Sequence, residues 1–227
     1  MEKNIAIAID GPAAAGKSTV AKKVASLLNF VYVDTGAMYR AVTYAVIANN
    51  LDPKSEAQSV TVLPGLTIDL LPDGKVICNG EDVTKVIREP MVSNNVSYIA
   101  AMKPVRLALI EMQRKLAESK SVVMDGRDIG SYVLPHAQVK IFQVASVETR
   151  AKRRYEENLE NGIPTTLEEV EENLRERDRI DSGRDFDPLI QAPDSVLLDT
   201  SSLNINESVN AVLRIVKEKT GLEATCH

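Results

Sequence analysis

Two cysteines and two histidines are all that this chain of 227 residues contains, and their positions exclude several chemistries. Cys78 and Cys226 lie far apart and form no C-x-x-C pair, and His136 and His227 add too few ligands for a structural zinc site. Neither histidine can join a Ser/His/Asp or Cys/His arrangement, because His136 follows Pro135 in a loop and His227 ends the sequence. Covalent catalysis is not expected. Positive charge is also short: 27 Lys and Arg face 32 Asp and Glu, a formal net charge of −5, so no global field recruits nucleic acid. Long apolar runs are missing, and the first one breaks at Asp10, which predicts neither a membrane span nor an export signal. A reducing cytoplasm is the expected setting. Internal repeats and low-complexity segments are absent as well.

What is present begins with a short apolar run, residues 5–9, that reads as a buried strand and leads into Gly11-Pro12-Ala13-Ala14-Ala15-Gly16-Lys17-Ser18. That spacing is the phosphate-binding loop pattern. Glycines let backbone N–H groups turn onto phosphate oxygens, the lysine adds a mobile positive charge, and the serine hydroxyl can ligate Mg²⁺. Gly11, Pro12, Ala13, Ala14, Ala15, Gly16, Lys17, Ser18 and the following Thr19 are therefore candidate nucleoside triphosphate contacts, with Lys17 catalytic and Ser18 the metal ligand. A helix over 18–29 continues the motif, with Val20, Val24, Leu27 and Leu28 as its sheet-facing stripe.

An apolar content of 44% supports one core with an inserted or flanking subdomain. Residues 30–33 read as a second strand that ends at Asp34-Thr35-Gly36, and Met38, Ala41, Val42, Ala45 and Val46 mark the next helix. Over 66–83 the period changes. Leu66, Ile68 and Leu70 alternate, and turns at Pro72-Asp73-Gly74-Lys75 and Asn79-Gly80 predict a small antiparallel insertion. Pro104 opens a helix to about Glu118, with Val105, Ala108, Leu109, Met112 and Leu116 as its predicted buried face. Strands at 121–125, 138–144 and 195–198, separated by helices, predict a parallel sheet. Helices follow from Val147 to near Gly162, from a capping box at Thr166 to about Asp181, and from Asn204 through Val216, leaving 224–227 as a frayed end. The helix after Thr166 is nearly all charged, with only Val170, Leu174 and Ile180 as anchors, so loose packing at the edge of the fold is expected.

Of thirteen arginines, eight lie between Arg127 and Arg184, although the chain as a whole is acidic. Guanidinium groups bind phosphate bidentately and stabilise a phosphoryl group in transfer, which gives the cluster a functional reading. A solvated helix is the alternative, since Glu171 with Arg175 and Arg177 with Asp181 stand four residues apart. Arg150, Arg153 and Arg154 share one helical face, and both readings stay open there. Val122-Val123-Met124-Asp125 is an apolar strand ending in a carboxylate, an arrangement that presents an aspartate near Mg²⁺. Glycines at 126 and 130 flank Arg127 and Asp128 and leave room for both side chains to enter a crevice, or to form a buried ion pair.

The segments Ile9-Asp10-Gly11-Pro12, Asp34-Thr35-Gly36-Ala37-Met38-Tyr39-Arg40, Asp125-Gly126-Arg127-Asp128-Ile129-Gly130 and Glu176-Arg177-Asp178-Arg179 through Arg184 resemble those of the bacterial cytidylate kinases. The resemblance spans most of the chain. It implies an α/β P-loop NTPase fold: a five-stranded parallel sheet with helices on both faces, a small antiparallel monophosphate-binding insertion and a helical lid. Residues 1–36, 98–149 and 188–227 would form the core, 37–97 the monophosphate-binding part and 150–187 the lid. The implied reaction moves the γ-phosphoryl group of ATP, with Mg²⁺, to CMP or dCMP. By the same resemblance Asp128, Arg106 and Ser97 would read cytosine, and Thr35, Tyr39, Arg40 and Arg127 would hold the acceptor phosphate. Arg177 and Asp181 would take the sugar hydroxyls, while Arg184 would meet the phosphates near the transfer point, with Arg127 and Asp125 also in catalytic roles. Arg153 and Arg154, with Arg150 as a competitor, would close over ATP. Thr35 stands where serine is the commoner residue and keeps the hydroxyl. A monomer acting on small molecules, with no nucleic-acid or membrane partner, is expected. Kinases acting on another nucleoside monophosphate or on shikimate are the nearest alternatives, and a GTP switch would carry an Asn-Lys-x-Asp motif that is absent here.

Overall fold

Short apolar runs bounded by turns become strands here, and the amphipathic stretches between them become the crossovers that parallel strands require. The computed structural model describes residues 4–224, so Cys226, His227 and most of the expected frayed end lie outside the described residues. In chain order the elements are β1 (Ala6–Asp10), α1 (Lys17–Leu28), β2 (Val31–Asp34), α2 (Thr35–Ala48), α3 (Glu56–Ser59), β3 (Ile68–Leu70), β4 (Val76–Cys78) and β5 (Glu81–Asp82). Then come α4 (Pro90–Ser93), α5 (Val96–Ala101), α6 (Lys103–Ser119), β6 (Val122–Gly126), β7 (Val139–Val144), α7 (Val147–Glu160), α8 (Leu167–Gly183), β8 (Val196–Asp199) and α9 (Ile205–Thr220).

The main sheet has five strands in the order β2-β6-β1-β7-β8, and every neighbouring pair is parallel. Helices cover both faces. Ile7 and Ile9 of the central strand pack with Val20 and Val24 of α1 and Val209 and Val212 of α9, whereas Ala8 between them turns to Ile110 of α6. Pairing places Asp34 beside Asp125 and Asp10 beside Gly126, so three aspartates end adjacent strands at one edge of the sheet. Ligands of open parallel sheets bind at that edge.

The insertion is a three-stranded antiparallel sheet, β3-β4-β5. Its β4–β5 turn has positive φ at both Asn79 (51°) and Gly80 (83°), as a tight two-residue hairpin requires. Cys78 and Val76 from this sheet join Met38, Val42, Ile99 and Leu109 in a second hydrophobic core beside the main one. Among the described residues no helix is long and apolar enough to cross a membrane.

Two stripe assignments need correction. On α1, Leu27 is 38% exposed, and Ala21 and Ala25 complete the buried stripe instead. On α6, Leu116 is 38% exposed while Arg106 and Gln113 are fully buried, so the inner face is Val105, Arg106, Leu109, Ile110 and Gln113. A charged side chain replaces a leucine there because a carboxylate waits for it. On α8 the expected anchors Val170 and Leu174 are buried, and ion pairs from charged residues add to them. Val170 and Leu174 bury against Ala13 and Ala151, and Asp178 and Asp181 pair with arginines of neighbouring elements.

Candidate active site

A cleft of about 990 Å³ opens over the carboxyl edge of the sheet. One wall is the loop between β1 and α1. Gly16, with φ at 85°, and Ala14, with φ at 58°, turn its backbone, and the N-terminus of α1 points into the space. Gly11 has φ at 146°, and a Cβ there would lie 1.9 Å from the carbonyl oxygen of Gln143 on β7, so only glycine fits. Gln143 also supports the loop from below, donating from Nε2 to the Ala15 carbonyl at 2.7 Å. Of the loop residues read as triphosphate contacts, Ala13 through Thr19 line the cleft and Gly11 and Pro12 do not. The Pro12 carbonyl accepts from Lys17 Nζ at 2.7 Å.

The floor is built around Asp125. Its Oδ2 accepts from the Ser18 hydroxyl at 2.8 Å, its Oδ1 from the Tyr32 hydroxyl at 2.9 Å, and its carbonyl from the Thr35 hydroxyl at 2.6 Å. Burial and the neighbouring Asp34 push its carboxyl up to about 6, opposed by Lys17 and the two hydroxyl donors. Burial, with Arg127 adding to it, brings Lys17 down to about 7. Asp10 is pushed up to about 7 by burial although Ile129 and Gly130 donate backbone N–H to it at 2.8 and 2.7 Å. Those two bonds tie the end of β1 to the turn that carries Asp128. A Cβ on Gly126 would stand 2.7–2.8 Å from Ile129 and the Thr35 hydroxyl, so close approach, not unusual dihedrals, makes the glycine necessary.

Opposite the loop stands the arginine wall. Arg106, Asp128 and Arg184 form a buried cluster in which Arg106 Nη2 donates to Asp128 Oδ2, and Arg184 Nη2 lies 3.5 Å from Asp128 Oδ1. Ser97 and Tyr39 line the cleft beside them, with the Arg106 guanidinium 5.7 Å from the Tyr39 ring centre. Arg40 pairs with Asp34 at 3.2 Å. Arg127 Nε donates to Asp181 at 2.8 Å, so the i,i+4 partner expected for Asp181, Arg177, is replaced by a residue from another element. Arg177 keeps a buried Nε without a hydrogen-bond partner, and burial followed by Arg127 lowers it to about 9. Desolvated cations crowded together in this way favour an incoming anion.

The open alternatives for the arginines separate cleanly. Arg175 and Arg179 form exposed ion pairs with Glu171 and Glu176, away from the cleft. Arg150 is 4% exposed and is used up inside the protein: Nε donates to the Ala145 carbonyl at 3.0 Å, Nη1 to Ala13 at 3.2 Å, and Nη2 to Asp178 at 2.7 Å. It braces the loop against α7 and α8. Arg153 and Arg154 line the cleft, the former anchored on the Thr200 carbonyl at 2.8 Å, the latter on Glu157 at 3.4 Å. Arg150→Ala is therefore expected to cost about 3 kcal/mol of stability by leaving the Asp178 charge unpaired. Arg154→Ala, which removes only a partly exposed pair with Glu157, should instead leave the urea midpoint in place; paired unfolding measurements check both.

Five residues important to this geometry, Gln143 among them, have no role assigned from the sequence. Tyr32 reads only as strand, Asp10 only as a break and as part of a resembling segment, and Arg88, which lines the cleft and lies 3.7 Å from Asp34, carries no motif. Asp187, 3.7 Å from Arg106, sits in a loop whose sequence gives no signal.

Residues 7–218 match the family model described as cytidylate kinase. The cytidylate kinase of Anoxybacillus flavithermus is 53% identical over 222 residues, covering 96% of this chain and 99% of that one. That of Geobacillus kaustophilus is 51% identical over 224 residues, 97% and 100% of the two chains. A solved structure of an uncharacterized protein from Eubacterium ventriosum is similar in fold, with a TM-score of 0.55 at 15% identity over 95% of this chain and 99% of that one. Matched from end to end by relatives that share half its residues, the chain belongs to the cytidylate kinase family.

Proposed function

We propose that this protein transfers the γ-phosphoryl group of ATP to CMP or dCMP, releasing ADP and CDP or dCDP. The observation that carries the reading is that Lys17 and Asp128 line one cleft, a phosphate cradle and a buried carboxylate facing the same space. An oxygen of the acceptor phosphate attacks the γ-phosphorus as the bond to the ADP oxygen breaks, and no enzyme side chain is covalently involved. Positioning and charge stabilisation are then the whole of the catalysis.

Residues 13–19 would cradle the triphosphate, with Arg153 and Arg154 closing over it. Arg40, Arg127 and Tyr39 would hold the acceptor phosphate, and Thr35 would join them by turning its hydroxyl from the Asp125 carbonyl to donate to a phosphate oxygen. Arg177 and Asp181 would take the sugar. Cytosine presents a donor at N4 and acceptors at N3 and O2, which matches one carboxylate, Asp128, flanked by Arg106 and Ser97. Arg184, which lines the cleft beside Asp128, would meet the phosphates near the transfer point.

The oxygen-only donors at Ser18 and Asp125 suit a hard cation. Among the described residues no cluster of three or more His, Cys, Asp or Glu forms a cage, so Mg²⁺ would be held by the Ser18 hydroxyl together with phosphate oxygens, with Asp125 behind it. Bound there, it supplies charge neutralisation between the phosphates. Residues 37–97 and 150–187 would move as the acceptor and donor covers, excluding water. The expected state is a monomer, and the buried free thiol of Cys78 suits the cytoplasm.

An ADP-release assay with ATP and Mg²⁺ across CMP, dCMP, UMP, AMP and shikimate tests the proposal. CMP and dCMP should stand well above the rest. Comparable kcat/KM for CMP and UMP would remove cytosine reading, and best activity on shikimate would replace the assignment.

A further inference from the structure

Two guanidinium groups lie side by side in the base pocket, with side chains 1% exposed for Arg106 and 2% for Arg184. Both turn toward the same carboxylate, Asp128, one toward each of its oxygens. Only Arg106 is hydrogen-bonded; at 3.5 Å Arg184 Nη2 makes no hydrogen bond, so Asp128 Oδ1 keeps its capacity to accept from an exocyclic amine. A second carboxylate stands behind the two arginines. Asp187 Oδ2 lies 3.7 Å from Arg106 Nη2, and the Asp187 backbone carbonyl accepts from Arg184 Nε. Asp187 adopts φ of 49°, the left-handed turn that lets one residue present its carbonyl to one arginine and its carboxylate to the other. The residue before it, Phe186, places its ring 5.9 Å from the Arg106 guanidinium and meets the Tyr132 ring edge-on at 5.2 Å, which fixes this wall from behind.

We infer that Asp187 is a positioning residue for base recognition: it shares the charge of Arg106 and Arg184 from behind, so that Asp128 keeps an oxygen for the N4 amine of cytosine. This rests on the reading of Asp128 as the base-sensing group. Asp187 does not line the cleft and acts through the two arginines. The surrounding geometry supports a shared, not a saturated, arrangement. Arg184 Nη2 and Asp187 Oδ2 are buried and lack hydrogen-bond partners, so the ion pairs are balanced without being closed. With the carboxylate of Asp187 gone, two cations fall to one anion, and both oxygens of Asp128 are drawn onto the arginines.

Asp187→Asn and Asp187→Gly both tolerate the left-handed backbone and keep the carbonyl that accepts from Arg184. Each is compared with the unaltered protein for kcat/KM with CMP and with UMP, for KM of ATP, and for thermal midpoint. The CMP-to-UMP ratio is expected to fall about tenfold in both, the size of coupling seen inside one charge network. The change should appear in the KM for CMP, with the KM for ATP unchanged. An equal fall for CMP and UMP, no change in the ratio, or loss of folding in both variants would overturn the inference in favour of a purely structural role. Asp128→Asn is run in parallel. If Asp128→Asn collapses the ratio while both Asp187 variants keep it, this inference alone fails; if Asp128→Asn also leaves it intact, the base-reading assignment fails and this one with it.

Discussion

Replacing Lys17 with alanine should lower CMP turnover by about 10³-fold, the scale on which fixed cations and aligned donors contribute to phosphoryl transfer. Lys17 opens α1, is 5% exposed, and reaches back to the Pro12 carbonyl. Burial and the nearby Arg127 bring its pKa to about 7, with Asp125 and Asp10 pulling the other way. A phosphate chain entering the loop adds negative charge beside it and restores the ammonium. Alanine removes that response without disturbing the helix, for which it has the better propensity. The stability of the two proteins should diverge in a defined direction. Because the folded pKa lies below the unfolded value of 10.5, the lysine costs stability in full below about pH 7, and that cost disappears as pH rises toward 10.5. Urea midpoints should therefore favour the variant most near pH 6 and least above pH 10. Near-normal turnover in a folded Lys17→Ala protein would put the triphosphate site elsewhere.

The parts of this molecule legible in the sequence are those with a local signature. Strands β1, β6 and β7 show as apolar runs because parallel strands covered on both faces need apolar side chains at successive positions, and Gly16, Lys17 and Ser18 show as a motif because the loop is contiguous. Strand order carries no such mark. Side chains that complete a site from a distance also went unseen: Tyr32 reaches Asp125 across 93 positions, and Gln143 supports Ala15 across 128. On α6 and α8 the inward-facing charges are not legible for one reason. Counting apolar residues treats every charge as solvated, whereas Asp178, Asp181 and Arg106 face inward because a charge of opposite sign, contributed by another element, meets each of them. In a site built to hold anions, those pairs are the packing.

Asp128→Asn should cut kcat/KM for CMP by about 10² or more and shift the preference toward UMP, because a hydrogen-bonding site rejects a mismatched donor set far more strongly than an apolar pocket rejects a misfit. Asparagine keeps the size of the side chain and one oxygen to accept from Arg106, while its amide nitrogen offers a donor where uracil presents O4. Alanine is the poorer probe. It would leave Arg106 and Arg184, both buried, with the carboxylate of Asp187 alone, and a lost buried partner costs about 3–5 kcal/mol. Acid pH should reproduce the substitution in the unaltered protein. Burial raises the pKa of Asp128 against the pull of Arg106 and Arg184, so protonation begins at a higher pH than for an ordinary aspartate and converts the amine acceptor into a donor. The CMP-to-UMP ratio should thus fall as pH drops in the unaltered protein and stay flat in Asp128→Asn. Parallel profiles for the two proteins would mean that the group sensing the exocyclic amine is not the carboxylate of Asp128.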